Sequence, residues 1–128
     1  MRLNRLLAVS TLAVAVISAP SMAAESTTTC APTGTTLTIA AKEKAFDKDC
    51  LAAPAGETFS IAFDNQDVAV PHNVSIYDTA NGNQQLFKGE VIFGPDQITY
   101  TVPAQAAGTY EFRCDPHDDT MIGTFIVQ

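Results

Sequence analysis

Hydrophobic and polar residues alternate with a period of two over most of the chain after position 35. The clearest runs are 36–39, 58–63, 72–76, 97–102, 108–114 and 123–127. They are rich in β-branched and aromatic residues, and segments with Gly, Pro or Asn separate them. This pattern predicts six or more short β-strands, each with one apolar and one polar face.

No segment has the apolar stripe and capping residues of an amphipathic helix, and only 84–91 is compatible with a short helical turn. Short strands of this kind bury their apolar faces by packing two sheets against each other. We therefore predict an all-β protein, a β-sandwich, with one domain at 35–128. The Ser/Thr-rich segment 24–34 precedes it as a flexible lead.

The N-terminal segment has the pattern of a secretory signal peptide, assigned to 1–23. Arg2 and Arg5 precede a largely apolar stretch of 12 residues, 6–17, and Ser21 and Ala23 supply the small residues of a cleavage site. The apolar stretch is well short of the ~20 residues that span a bilayer. We expect cleavage after Ala23 and an exported protein, periplasmic, cell-surface or secreted, with no integral membrane segment after cleavage.

The charge of the chain limits its partners. Seven basic and 14 acidic residues give a net charge of −7, and loss of Arg2 and Arg5 with the signal peptide would change it to −9. An acidic chain is a poor candidate for nucleic-acid binding, so we expect no nucleic-acid partner. A length of 128 residues also excludes a large multidomain enzyme.

Three cysteines, Cys30, Cys50 and Cys114, allow three disulfide pairings. An odd number in an exported protein suggests one disulfide and one special thiol. Cys30 and Cys50 lie near each other and near the N-terminus, whereas Cys114 lies in a different kind of sequence. We predict a Cys30–Cys50 disulfide and a free Cys114.

The alternation also predicts which side chains point inward. In the run 108–114, Cys114 shares a face with Tyr110 and Phe112, which belong in the core. In the run 72–76, His72 shares a face with Val74 by the same count. Two antiparallel strands could therefore bring His72, at the start of one, close to Cys114, at the end of the other.

Residues 114–121 contain the motif C-x2-H-x3-M, formed by Cys114, His117 and Met121. Two His, one Cys and a long axial Met form the blue-copper ligand set, and the chain has two histidines, His72 and His117. Each of the four residues alone has an ordinary structural explanation. A zinc site needs more Cys or His than remain once Cys30 and Cys50 pair. The four together predict one type 1 copper ion per chain.

At these residues the sequence resembles the cupredoxins, most closely the small plastocyanin- and pseudoazurin-like type 1 copper proteins. The resemblance covers about 35–128 and rests on Pro71-His72-Asn73, on 110–117, on Met121 and on Gly123-Thr124-Phe125. It implies a Greek-key β-sandwich of about seven to eight strands. It assigns the copper ligand roles to His72, Cys114, His117 and Met121, with one-electron transfer between redox partner proteins as the function. We expect the His117 imidazole edge to be the electron port, because its loop is the exposed part of the site.

The sequence departs from the family in the ligand loop. Three residues separate His117 from Met121, where plastocyanin-like loops commonly have four, and this affects the expected axial geometry. Asp115, Asp118 and Asp119 stand where the family usually has apolar residues around its exposed His. Together with the negative net charge, these three residues suggest a partner with a basic docking surface.

Asn73, next to His72, has two possible roles. Its backbone N–H could reach the Cys114 sulfur while its side chain ties the two ligand segments together, or it could be an ordinary polar residue on an outer strand face.

Three other functions compete with electron transfer. A copper carrier or storage protein could use the same four ligands. A copper oxidase or reductase needs further His-rich sites, and an adhesion sandwich would leave the thiol without a metal. We expect a monomeric electron carrier that is not an enzyme.

Overall fold

The computed structural model of the protein describes residues 13–20 and 28–128. Most of the predicted signal peptide, and 24–27 of the predicted lead, lie outside these residues, so both assignments stay predictions. Residues 13–20 and 28–34 belong to no strand or helix. In the two described ranges, no helix has the length and apolar character needed to cross a bilayer.

The part of the chain that the structure describes contains eleven β-segments and one 3₁₀ turn. The β-segments are β1 (Thr36–Lys42), β2 (Ala45–Phe46), β3 (Cys50–Ala53), β4 (Phe59–Asn65), β5 (Pro71–His72), β6 (Ser75–Asp78), β7 (Gln84–Phe87), β8 (Ile92–Phe93), β9 (Asp96–Val102), β10 (Gly108–Arg113) and β11 (Ile122–Val127). The 3₁₀ turn is Asp115–His117, between β10 and β11. Eight of the segments have four or more residues.

These segments form two main sheets and one small one. The four-stranded sheet has the order β2-β1-β4-β9, the five-stranded sheet the order β3-β11-β10-β6-β7, and β5 pairs with β8. The pairs β1–β4 and β3–β11 are parallel and the other strand pairs are antiparallel. The predicted all-β Greek-key β-sandwich of seven to eight strands is confirmed.

The core lies between the two main sheets and follows the predicted alternation. In β4 every second side chain is buried, so Phe59, Ile61 and Phe63 face inward. Phe112 and Phe125 meet them from the five-stranded sheet, and Phe59 and Phe125 lie 5.5 Å apart between ring centroids. Close packing of these rings gives a stiff frame, with the ligand loop emerging from the ends of β10 and β11.

Two local expectations are corrected. Residues 84–91 contain no helical turn: Gln84–Phe87 is the strand β7, paired with β6. The predicted strand 72–76 is also interrupted, because β5 ends at His72 and β6 begins at Ser75, and all five residues are buried. At this end of the sandwich the chain passes from the β5–β8 pair to the five-stranded sheet, and both faces of the segment 72–76 are buried.

The predicted Cys30–Cys50 disulfide is present, with Cα atoms 6.1 Å apart, and Cys114 is a buried free thiol. The disulfide joins the segment before β1 to the first residue of β3. It therefore fixes residue 30 of the lead covalently to the five-stranded sheet.

Candidate metal centre

The loop 114–121 connects β10 to β11 and carries three of the four predicted ligands. In the last strand pair before it, Arg113 lies opposite Ile122. The loop is closed by its own backbone: Cys114 N–H donates to the Met121 carbonyl over 3.0 Å, and Met121 N–H donates to the His117 carbonyl over 2.9 Å. A further bond of 3.0 Å joins His117 N–H to the Cys114 carbonyl. These bonds hold the three residues close together.

The fourth predicted ligand, His72, comes from a different part of the fold. It ends β5 and lies opposite Ile92 of β8. The loop before it is held by the buried side chain of Asn65, whose Nδ2 donates to the carbonyls of Val70 and Ile92, each over 2.9 Å. Asn65 Oδ1 also accepts the N–H of Asp67 over 3.0 Å. This amide fixes the path of the chain that leads to His72.

Three donor atoms converge at this end of the sandwich. The Nδ1 atoms of His72 and His117 each lie 3.5 Å from Cys114 Sγ. The ligand atoms of the three residues all lie within 4.8 Å of one another, and the two imidazole centroids are also 4.8 Å apart. His72 and Cys114 are buried and His117 is half-buried. The predicted inward placement of His72 and Cys114 is confirmed.

The structure places Met121 in the buried core beside this group. Its backbone contacts to Cys114 and His117 are those that close the loop. Its backbone is therefore tied to Cys114 and His117, and its role as an axial ligand stays a prediction.

Burial dominates the electrostatics of the thiol. It raises the pKa of Cys114, while hydrogen bonds from the backbone N–H groups of Asn73 and His117 act in the opposite direction. The backbone of Asn73 thus acts on the Cys114 thiol, and a direct N–H contact with the sulfur stays a prediction. Burial also lowers the pKa of His117, and the charges of His72 and Lys44 add to that effect. A thiolate here needs a positive charge to stabilise it.

Asp67 orients His72 and was not identified from the sequence. Its carboxylate accepts a hydrogen bond from His72 Nε2 over 2.8 Å. The same carboxylate accepts the backbone N–H groups of Glu43 and Lys44 over 2.6 and 2.8 Å. The hydrogen bond from the Lys44 N–H is the main cause that lowers the pKa of Asp67 to about 2. Burial acts in the opposite direction, and the hydrogen bond from His72 lowers the pKa further. A proton on His72 Nε2 leaves the Nδ1 lone pair free to face Cys114.

Asn73 ties the two ligand segments together, which is one of the two roles predicted for it from the sequence. Its side chain is buried; Nδ2 donates to Asp115 Oδ2 over 2.7 Å, and Oδ1 accepts the Asp115 N–H over 2.8 Å. The alternative, a polar residue on an outer strand face, is excluded by this burial. Asp115 is consequently half-buried, whereas Asp118 and Asp119 of the same predicted docking group are exposed.

The donor chemistry of this centre fits copper. One soft thiolate with two imidazole nitrogens, beside a thioether, is the set that type 1 copper prefers, and hard cations would need oxygen ligands instead. In addition, every buried side-chain nitrogen or oxygen among the described residues has a hydrogen-bond partner, so the polar groups around the three donor atoms are already hydrogen-bonded. His72, Cys114 and His117 form a group able to bind a copper ion.

Comparison with known proteins agrees with this chemistry. The family model described as a cupredoxin-like domain matches residues 7–127. The chain belongs to the cupredoxin-like family. The resemblance noted in the sequence is thereby confirmed, and the centre is that of a blue copper protein.

Solved cupredoxin structures resemble this fold over most of the chain. An auracyanin from Roseiflexus castenholzii is 25% identical with a TM-score of 0.64, over 74% of this chain and 98% of its own. Auracyanin A from Chloroflexus aurantiacus, a "blue" copper protein, is 26% identical with a TM-score of 0.64, over 73% and 98%. Amicyanin from Paracoccus versutus is 28% identical with a TM-score of 0.54, over 72% and 80%. No curated protein matches this sequence significantly.

Proposed function

We propose that this cupredoxin is an exported type 1 copper protein that carries single electrons between redox partner proteins. The observation that carries the proposal is the convergence of His72 Nδ1 and His117 Nδ1 on Cys114 Sγ, 3.5 Å from each. These three residues would be the strong ligands of a copper ion, and Met121 would be a weaker fourth ligand. A copper ion held there supplies a Cu(II)/Cu(I) couple, which exchanges one electron without breaking a covalent bond.

The stiffness of the centre supports electron transfer over other copper chemistry. Asp67 holds His72, Asn73 holds the segment after Cys114, and the backbone bonds of the loop hold His117 and Met121. Residues fixed in this way keep their positions when the charge of the site changes. Little rearrangement is then needed on electron transfer, which favours a carrier and not an enzyme that must bind and reshape a substrate.

His117 is the proposed electron port. Of the four proposed ligands it alone is partly exposed, because its loop forms the surface of this end of the sandwich. An electron entering through the imidazole edge reaches the site by a short path. Phe93, opposite Pro71 in the β5–β8 pair, adds an exposed apolar side chain next to the strand that carries His72.

Export is supported by two features of the chain. The segment 1–23 has the signal-peptide pattern, and the Cys30–Cys50 disulfide is typical of proteins outside the cytoplasm. We propose that the mature protein begins after Ala23 and acts as a monomer, with one copper ion per chain.

Electron transfer can be separated from copper carriage by two measurements on the copper-loaded mature protein. Voltammetry should give a reversible one-electron wave, and a Cu(I) chelator added to the reduced protein should remove copper slowly compared with electron exchange. A copper carrier or storage protein uses the same ligands but must release its ion. Rapid loss of copper to the chelator, without a reversible wave, would therefore contradict electron transfer and favour carriage.

A further inference from the structure

The carboxylate of Asp115 is enclosed next to the proposed ligand Cys114. Oδ2 accepts hydrogen bonds from Asn73 Nδ2 over 2.7 Å and from Ser75 Oγ over 2.6 Å, and Oδ1 accepts one from the Tyr77 hydroxyl over 2.5 Å. All three donors come from the segment 73–77, some 40 positions earlier in the chain. Asp115 is thus anchored beside the centre, with both of its carboxylate oxygens bound by donors from the same chain.

This carboxylate carries its charge in the folded protein. Hydrogen bonds from Ser75, Tyr77 and Asn73 converge on its two oxygens, and donors that bond a carboxylate favour its ionised form. The three donors that touch the carboxylate are neutral. Hydrogen bonds from neutral donors spread a negative charge but do not cancel it.

The nearest guanidinium is used elsewhere. Arg113 forms a salt bridge with Glu111 and lies over the Tyr77 ring, with its Cζ 4.0 Å from the ring centroid. Among the residues that the structure describes, no salt bridge involves Asp115. The negative charge therefore remains without a direct cationic partner, one residue from the thiol.

We propose that Asp115 is a positioning residue whose enclosed negative charge, held beside Cys114 by Asn73, Ser75 and Tyr77, lowers the reduction potential of the copper site. The inference rests on the proposed electron-transfer function. Reduction adds one electron from a one-electron donor and removes one positive charge from the site, with no bond formed or broken. A nearby negative charge stabilises the oxidised, more positive state, and partial burial strengthens that interaction over its value in water.

The two oxygens allow this charge to be tested separately from the hydrogen-bond frame. In Asp115→Asn, the amide oxygen can still accept from Asn73 and Ser75, while its NH₂ can donate to the Tyr77 hydroxyl. That hydroxyl also accepts a hydrogen bond from Gln85 Nε2 over 2.6 Å. The converse variant, Tyr77→Phe, keeps the charge and removes one donor, so the charge is less well spread. The two variants should shift the potential in opposite directions.

The test is voltammetry of copper-loaded wild type, Asp115→Asn and Tyr77→Phe, with Asp118→Asn as the matched control for loss of one charge from the same loop at an exposed position. We expect Asp115→Asn to raise the reduction potential by about 59 mV, which for a one-electron couple is roughly a tenfold change in the redox equilibrium constant. Asp118→Asn should raise it by less than a third of that shift, and Tyr77→Phe should lower it. Visible and electron-spin-resonance spectra check that each variant retains the Cu(II) site.

Three results would overturn the inference. The first is an Asp115→Asn shift no larger than that of Asp118→Asn, and the second is a downward shift. The third is an upward shift of the reduction potential in Tyr77→Phe. This result also refutes the inference if Asp115→Asn does not retain copper. A wild type with a reversible wave but no such differences leaves electron transfer standing and refutes only the role of Asp115. A wild type with no wave refutes the proposed function as well.

Discussion

The carboxylate of Asp67 accepts a hydrogen bond from His72 Nε2 over 2.8 Å, and the other ring nitrogen, Nδ1, faces Cys114. The same carboxylate receives the N–H groups of Glu43 and Lys44, which both have positive φ. One side chain thus links the β1–β2 turn to a proposed metal ligand. The orientation of His72 and the shape of the β1–β2 turn therefore depend on the same residue.

Replacing Asp67 should therefore weaken copper binding. We expect Asp67→Ala to reduce copper affinity by about 10–100-fold, the effect usual for loss of a group that orients a ligand histidine. Competition with a chelator measures this, at a temperature where the variant is folded. Asp64→Ala is the control and should bind copper as the wild type does, because Asp64 lies near the end of β4 and its carboxylate is hydrogen-bonded to Gln66. Equal affinity in both variants would show that Asp67 does not orient His72.

Met121 should tune the site more than it holds the metal. A thioether is a soft neutral ligand, and a long axial bond contributes little to binding. Met121→Leu should keep copper and raise the reduction potential, and Met121→Gln should keep copper and lower it. Voltammetry of the three proteins checks the two directions. Loss of copper from both variants would instead make Met121 a primary ligand.

The Cys30–Cys50 disulfide should contribute stability without affecting the copper site. The two cysteines are 20 positions apart, so the loop-entropy model gives a loss of about 3 kcal/mol for Cys30→Ser with Cys50→Ser. Urea unfolding of the double variant measures the loss. Neither cysteine belongs to the His72–Cys114–His117 group, so the visible spectrum of the copper-loaded protein should not change. A changed spectrum would mean that the disulfide shapes the ligand loop.

The exposed acidic residues of the ligand loop should steer a basic partner. Asp118 and Asp119 lie within two positions of His117, the proposed electron port. Opposite charges accelerate encounter, and salt screens them over about 8 Å at physiological ionic strength. Stopped-flow electron-transfer rates with a positively charged redox protein should fall as salt rises, and Asp118→Asn with Asp119→Asn should flatten that slope.

Glu57 provides the control for this steering. It is exposed in the turn before β4, at the opposite end of that strand from the segment leading to His72. Glu57→Gln should leave the salt slope almost unchanged. If the double loop variant has the wild-type slope, the acidic loop has no steering role.

The strands that the sequence predicts well are those in which polar and apolar residues alternate. In β4 and β9 the alternation places Phe63 and Tyr100 in the core, where the structure has them. Four strands of the described part of the chain escape this criterion: β2, β3, β7 and β8. Gln84 and Gln85 begin β7 as exposed polar residues at the edge of a sheet, and β2 and β8 have only two residues each, so pairing and not composition defines them.

The ligand group was predictable because few residues of the right type exist. Cys114, His117 and Met121 lie in one loop, and His72 is the other histidine of the chain. Asp67 was not predictable, since its role depends on a contact with Glu43 and Lys44, more than 20 positions away.

Asp115 shows the same limit for a charged residue. The sequence places it in an acidic docking loop, but donors from the segment 73–77 turn its carboxylate inward. No local pattern around position 115 indicates those donors. Its separation from Asp118 and Asp119 therefore emerges only from the tertiary structure.

The most direct test of the account is the visible absorption and electron-spin-resonance spectrum of the copper-loaded mature protein, compared with Cys114→Ser. Cys114 is a buried free thiol that both histidine Nδ1 atoms face, so one bound copper should give an intense thiolate-to-copper charge-transfer band. The Ser variant should lose that band, because a hydroxyl is a poor soft ligand. A wild type without the band, or a Cys114→Ser protein that stays blue, would contradict the assignment of this centre as a type 1 copper site.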